Sequence, residues 1–307
     1  MSTPSPMEEL KSGLPDSKWG KVLGATPIVM TVIATLLAGL SNSEMTKAQY
    51  ARALAAQQQS KAGDQWAFFQ AKRIRGAIQS GTLDLVQILD SEHQFNTDAL
   101  RAYAATLPDP EPSLSALTLL LAGRLPGQAA APLLDPKLKA VLDAIEQLVP
   151  APELTDRLNA VTPETLDSAI RAAQDHARDF ENLLQPVVRG GDRLGDAIDA
   201  AGAAQKSLRR DFAELRLRYS SMRYDAEAGL NRAVANLYEV QVRQSNLKAE
   251  RHHRRSMRFF FGMLAAQAAV IVSTFAMAAR KRNLLWSLAA AAGVGAVGFA
   301  AYVFLYL

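Results

Sequence analysis

What most limits the folds open to this chain is three long stretches without a charge. Residues 22–40, VLGATPIVMTVIATLLAGL, are uncharged over 19 positions. Residues 259–279, FFFGMLAAQAAVIVSTFAMAA, are uncharged over 21. Residues 284–307, LLWSLAAAAGVGAVGFAAYVFLYL, follow the basic knot Arg280, Lys281 and Arg282 and hold 24 uncharged positions. A helix needs about 20 such residues to cross a bilayer. Each stretch therefore reads as a transmembrane helix, and the lengths weigh against three buried core helices. Only Arg280–Asn283 separate the last two, so they form a hairpin. Trp286, Tyr302 and Tyr306 sit near the ends of the last span, where interfacial aromatics belong.

The first span has a rival reading as a signal peptide. Lys18 and Lys21 would be its charged region and Gly39–Leu40–Ser41 a loose cleavage site, but 19 residues is long for a signal's apolar core. Small residues recur every four positions in both hairpin members: Ala265, Ala269 and Ser273, then Ser287, Ala291 and Gly295. Such stripes let helices approach closely in lipid, within the hairpin or between copies. Gln267, Ser273 and Thr274 are the only polar side chains in the middle of the second span, too few for an ion path. Basic residues flank the spans unevenly. Lys18 and Lys21, and Arg280–Arg282, place the amino terminus and the hairpin loop in the cytoplasm; Arg251, Arg254, Arg255 and Arg258 argue the opposite. The short hairpin loop is the better reporter, which makes the central region periplasmic.

Between the spans the chain reads as helix, with no strand-like alternation. Residues 205–258 lack proline and place Leu208, Phe212, Leu215, Tyr219, Met222 and Ala226 at alternating steps of four and three. After a slip, Leu230, Ala233, Leu237 and Val240 resume the pattern. This is a coiled-coil seam on a helix about 80 Å long, which can run on into the second span. Leu166, Ile170, Ala173, Ala177, Phe180, Leu184 and Val187 keep the same rhythm, with Thr162 as cap and Pro163 at the first helical position. Pro186 and Gly190–Gly191 then interrupt it: either the chain turns there into a helical hairpin, the favoured reading, or a kinked helix carries on. Proline-marked breaks predict short helices near 114–122, 136–148 and 152–159. Residues 43–80 form a further helix, pairing antiparallel with 205–258 as a stalk that carries the 81–200 insert at its far end.

Charge sharpens this division. Residues 42–80 hold six basic and two acidic side chains, 81–200 nine and nineteen, and 201–258 thirteen and six. The net charge of +4 thus hides an acidic centre between two basic arms. A chain that coats nucleic acid does not carry such a centre. The basic arms suit anionic lipid headgroups, with Arg251, His252, His253, Arg254, Arg255 and Arg258 as the contacts.

The chemical motifs fail on context. GVGAVG at 293–298 has dinucleotide-loop spacing, but no strand precedes it and no acidic residue follows. GGDRLG at 190–195 lacks the Gly-Lys-Ser/Thr ending of a phosphate loop and reads as a helix break. Glu250 and His253 form one Glu-x-x-His pair; a di-iron bundle needs two such pairs and two more carboxylates, and Asp90 with His93 imitates the second poorly. Neighbouring arginines would repel a cation. His252 and His253 at the membrane surface are also candidates for sensing pH. His176 reads as a solvated helix position. No nucleophile–base set, metal site or cofactor site emerges, and the chain has no cysteine.

One segment, DQWAFFQAKRIR at 64–75, concentrates aromatic and basic residues. Asp64 can cap a helix restarting after Gly63. Trp66 and Phe69 share one side, Phe68 lies about 100° from Phe69, and Phe69 can reach Arg73 for a cation–π contact. This is a packing and partner-contact seam near the membrane, built for more than one neighbour. That segment and ERHHRRSMRFFFGMLAAQAAVIVSTFAMAARKRNLLW make the chain resemble a family of uncharacterised bacterial membrane proteins, a domain of unknown function. The resemblance covers about residues 18–80 and 225–307; the 81–200 insert is longer and richer in proline than such proteins suggest. It implies a bacterial inner-membrane protein with three spans and carries no activity.

The expected fold is all-α. It runs as a tail (1–21), a first span (22–40), a membrane-proximal helix (41–80), an acidic insert (81–200), a basic coiled-coil helix (201–258) and a transmembrane hairpin (259–307). The expected role is non-enzymatic: a membrane-anchored scaffold or assembly protein, homo-oligomeric, or else an accessory subunit of an envelope transporter or channel.

Overall fold

The computed structural model describes residues 18–89, 94–127, 133–278 and 282–306, with side chains from Ala25 onward except at 203, 204 and part of 276–306. Asp90, His93, Arg280 and Lys281, together with the side chains of Lys18, Lys21, Trp286 and Tyr306, lie outside the described residues. The described residues form α-helices and no strand: α1 Lys18–Leu89, α2 Thr97–Ala105, α3 Pro110–Ala122, α4 Pro136–Glu146, α5 Ala151–Ala160, α6 Pro163–Ala200, a 3₁₀ turn Gly202–Gln205, α7 Lys206–Ala278 and α8 Arg282–Tyr306. Helices α1 and α7 are each long and apolar enough to cross a membrane. The third expected span coincides with α8, many of whose side chains are outside the description.

Two expected breaks are absent. Helix α1 passes through Gly63 and Asp64 without restarting, so Asp64 is an exposed mid-helix residue rather than a cap. One glycine costs a helix about 1 kcal/mol, and the alanine- and glutamine-rich turns around it offset that. Helix α6 likewise continues through Pro186 and Gly190–Gly191 instead of turning into a hairpin. The glycines serve close packing. A Cβ on Gly190 would lie 2.3 Å from the Pro112 carbonyl oxygen and 2.7 Å from Ala116 Cβ, so α3 reaches α6 only because that position is bare. The apolar stripe of α6 therefore runs on past Val187 through Gly191, Leu194 and Ile198. Thr162 caps it as expected, accepting from Thr165 N at 3.2 Å. Of the short helices, α3, α4 and α5 match the expected positions, whereas α2 was not foreseen. Its cap is Asn96, whose side chain accepts from Ala99 N at 2.9 Å.

The chain divides into two compact units, one comprising Ala55–Gln244 and the other the residues up to Leu54 with those from Ser245 onward. In the first, α2, α3, α6 and α7 share a core of Leu100, Leu117, Phe180, Leu194, Phe212 and Leu215, among others. Buried Gln244 donates to the carbonyls of Leu158 (3.0 Å), which also accepts from Val161 N, and of Val161 (2.8 Å), tying the end of α5 to α7. The α7 seam is buried at Leu208, Phe212, Leu215 and Tyr219 and again at Leu237 and Val240. Ala233, however, is exposed and Val234 takes the inward place, because the slip after Ala226 rotates the stripe by one residue. Here α1 and α7 are antiparallel: Lys72 pairs with Glu227, Arg73 with Asp225 and Gln87 with Glu214.

In the second unit α1 and α7 again run antiparallel, with Leu37 against Phe259 and Ala34 against Ala266. Its packing puts small residues inside. Gly262, Ala266, Ala269 and Ser273 are buried on α7, while Ile28, Val32, Leu36, Phe261, Ile271 and Phe275 face outward. Two of the three expected small residues on α7 lie in this stripe, and Ala265 is half-buried beside it. On α8 the expected stripe of Ser287, Ala291 and Gly295 is exposed; among the described side chains the buried position is Gly293, where a Cβ would lie 2.9 Å from Met30 Cε.

Candidate functional site

Two polar clusters stand out, one in each unit. Where the apolar part of α1 ends, Ser41 and Ser256 form a reciprocal pair. Ser41 Oγ donates to the Ser256 carbonyl at 3.0 Å and Ser256 Oγ to the Ser41 carbonyl at 2.9 Å, both buried. One turn further along α1, the buried Glu44 carboxylate accepts from Lys47 Nζ at 2.7 Å and from His252 Nδ1 at 2.6 Å. Burial pushes the Glu44 carboxyl up, but the hydrogen bonds from Lys47 and His252 and their charges outweigh it, and the net result lies below the usual carboxylate range.

The basic residues expected at headgroups divide by environment. Arg251 is exposed, and Arg254 is exposed with its Nε donating to Glu250 at 2.9 Å. That hydrogen bond holds the Glu250 carboxyl low, and it engages the acidic half of the Glu-x-x-His pair. Arg258 lies 5.8 Å from the Tyr302 ring centroid. His253 Nδ1 and Arg255 Nε are buried without a hydrogen-bond partner among the described residues. Also among the described residues, no three His, Asp or Glu side chains gather as a metal would require.

In the other unit the DQWAFFQAKRIR segment faces α7. Trp66 Nε1 donates to Glu239 at 3.0 Å, and Trp66 meets Phe69 edge-to-face with centroids 5.4 Å apart. Arg73 turns to Asp225 at 3.1 Å rather than to the Phe69 ring. The expected cation–π contact falls to Lys72, which lies 5.6 Å from the Tyr224 ring while pairing with Glu227. Arg223 joins the group, 4.6 Å from the same ring. Phe68 alone stays 54% exposed. Ahead on α7, burial pushes the Tyr219 phenol up to about 12 against the pull of Arg223, and its hydroxyl has no partner among the described residues. A cleft of about 650 Å³ beside α6 and α7 is lined by small side chains, including Ala169, Ala173, Gly229 and Ala233.

The sequence reading picked Trp66, Arg73 and His252 and missed their partners Glu239, Asp225 and Glu44; it also missed the Ser41–Ser256 pair. Glu44 did leave a signal, as the one acidic residue between position 22 and Asp64.

Fold and clusters together define an all-helical chain with two helices long and apolar enough for a membrane, clamped by polar contacts between α1 and α7. Residues 19–110 match the family model described as Domain of unknown function (DUF4337). That match takes in α1 and α2 and the first of the two stretches that carry the resemblance; the second, at 225–307, lies outside it. No curated protein and no solved structure gives a match.

Proposed function

We infer that this chain is a non-enzymatic, membrane-anchored helical scaffold of the bacterial inner membrane, spanning the bilayer at 22–40, 259–279 and 284–307 and assembling with copies of itself. The observation that carries this reading is the packing of the unit formed by the chain's two ends: most large apolar side chains lie outside, Leu37 and Phe259 apart, and Gly262, Ala266, Ala269 and Ser273 lie inside. In water that arrangement wastes hydrophobic surface; in lipid it is what close helix packing requires. The hydroxyls of Thr31, Thr35 and Thr274 also bond to carbonyls of their own helices, which satisfies those donors within lipid.

Arg251, Arg254 and Arg258 then meet anionic headgroups, and the central region occupies the periplasm. A reporter fused within residues 110–160 tests both points: periplasmic activity in a carbonate-resistant membrane fraction supports the reading, and release by carbonate sinks it. A second reading rests on the acidic character of 81–200. As an accessory subunit of an envelope transporter or channel, the chain would use that region to dock. Cross-linking in native membranes would then recover a different membrane protein.

A further inference from the structure

Within the unit Ala55–Gln244, α1 carries two seven-residue patterns on different sides. The inner one passes through Gln58, Ala62, Gln65, Phe69, Lys72, Gly76, Gln79, Leu83 and Val86 and is buried or half-buried. The outer one passes through Ala71, Ile74, Ile78, Gly81, Leu85 and Ile88, in alternating steps of three and four, and every position is exposed. Ile74 is 60% exposed, Ile78 58%, Leu85 60% and Ile88 74%. A helix in water turns its apolar stripe inward. Here the inward stripe mixes glutamines, small residues and Lys72 with the apolar Phe69, Leu83 and Val86, while the outward stripe holds no polar side chain and is left in solvent.

We propose that this outer face of α1, from Ala71 to Ile88, is a coiled-coil surface that pairs with the same face of a second copy of the chain. The proposal rests on the oligomeric scaffold reading above and says where the copies meet. Three observations favour a second copy. The alternating three–four spacing is the pattern that accepts another helix with the same spacing, not a globular surface. The face with its edges, Phe68 and Leu89, leaves on the order of 700 Å² of apolar surface in solvent, close to the ~800 Å² per partner of a standard interface. Its flanks hold one cation, Arg75, and one anion, Asp84, placed so that like charges oppose in neither direction of pairing. Among the described residues no segment covers this face. Two copies held in one membrane would also meet at raised effective concentration.

The chain has no cysteine, so single cysteines report contacts directly. Ile78 lies near the middle of the face; it meets its counterpart directly when the helices pair parallel, and lies within one turn of it when they pair antiparallel, where Ile78 and Gly81 of the second copy share a layer. In native membranes, full-length Ile78→Cys should form a disulfide-linked dimer in clear excess over Ser80→Cys, an exposed position well off the stripe. Light scattering of the purified full chain should give two or more copies for the native sequence and one for Ile74→Glu/Ile78→Glu with its helical circular dichroism intact. Equal cross-linking at the two positions, or capture of a different protein by the cysteine at 78, overturns the proposal. An oligomeric native chain whose double variant keeps the same mass overturns it too, while leaving the scaffold reading standing. A monomeric native chain overturns both. Should the double variant lose its helical signal, the cysteine pair decides alone.

Discussion

Gly190 and Gly191 are neighbours with opposite demands. A methyl group at 190 would strike the Pro112 carbonyl and Ala116, whereas one at 191 meets only Leu120 Cδ1 at an ordinary 3.8 Å. Gly190→Ala should therefore destabilise the fold by about 1–3 kcal/mol through overpacking. Gly191→Ala should stabilise it by up to about 1 kcal/mol, because alanine suits a helix interior better. Thermal unfolding followed by circular dichroism distinguishes them, and equal effects would contradict the packing described. Glu44 makes a prediction in pH. Its folded carboxyl titrates below its unfolded value of 4.5, so the stability it contributes is full above that value and is lost as pH falls through the folded value. Glu44→Gln should be less stable than the native chain at pH 7, with the gap closing below pH 4.5. A gap that stays constant down to acid would mean that the carboxylate's charge contributes nothing.

At the scale of the element, periodicity was legible and punctuation was not. The stripes of α6 and α7 could be followed through Leu166, Phe180, Phe212 and Leu237, because burial repeats at a fixed step. Pro186 with two glycines looked like a turn, since the same letters serve either to break a helix or to let a neighbour approach. Only the position of α3 decides between these uses, and no local pattern encodes it. The aromatic segment shows the same division. Its role as a seam was readable from composition, but Glu239 lies 173 residues from Trp66 and Asp225 lies 152 from Arg73. Trp66→Ala removes a hydrogen bond and an edge-to-face ring contact from a half-buried site, so a loss of about 2–4 kcal/mol is expected in denaturant unfolding. Trp66→Phe keeps an aromatic ring and should lose less.

For the whole molecule, the two units call for different solvents. The unit Ala55–Gln244 buries leucine, isoleucine and phenylalanine in its core, while the unit of the chain's ends buries Leu37 and Phe259 but turns Ile28, Val32, Leu36, Phe261, Ile271 and Phe275 out. Hydropathy alone located the apolar stretches but could not tell which side chains face one another. That is why Glu44 went unremarked, Ser41 was read only as part of a cleavage site, and the exposed Ser287 stripe was overvalued. The reciprocal Ser41–Ser256 pair joins residues 215 positions apart. At a synthesis rate of about 5–20 residues per second, Ser41 exists for roughly 10–40 s before its partner is made. Glu44 waits as long for His252, but Lys47, one turn away, is available at once. The local ion pair can thus hold the carboxylate's charge during translation, making Lys47 a provisional partner for Glu44 until α7 arrives.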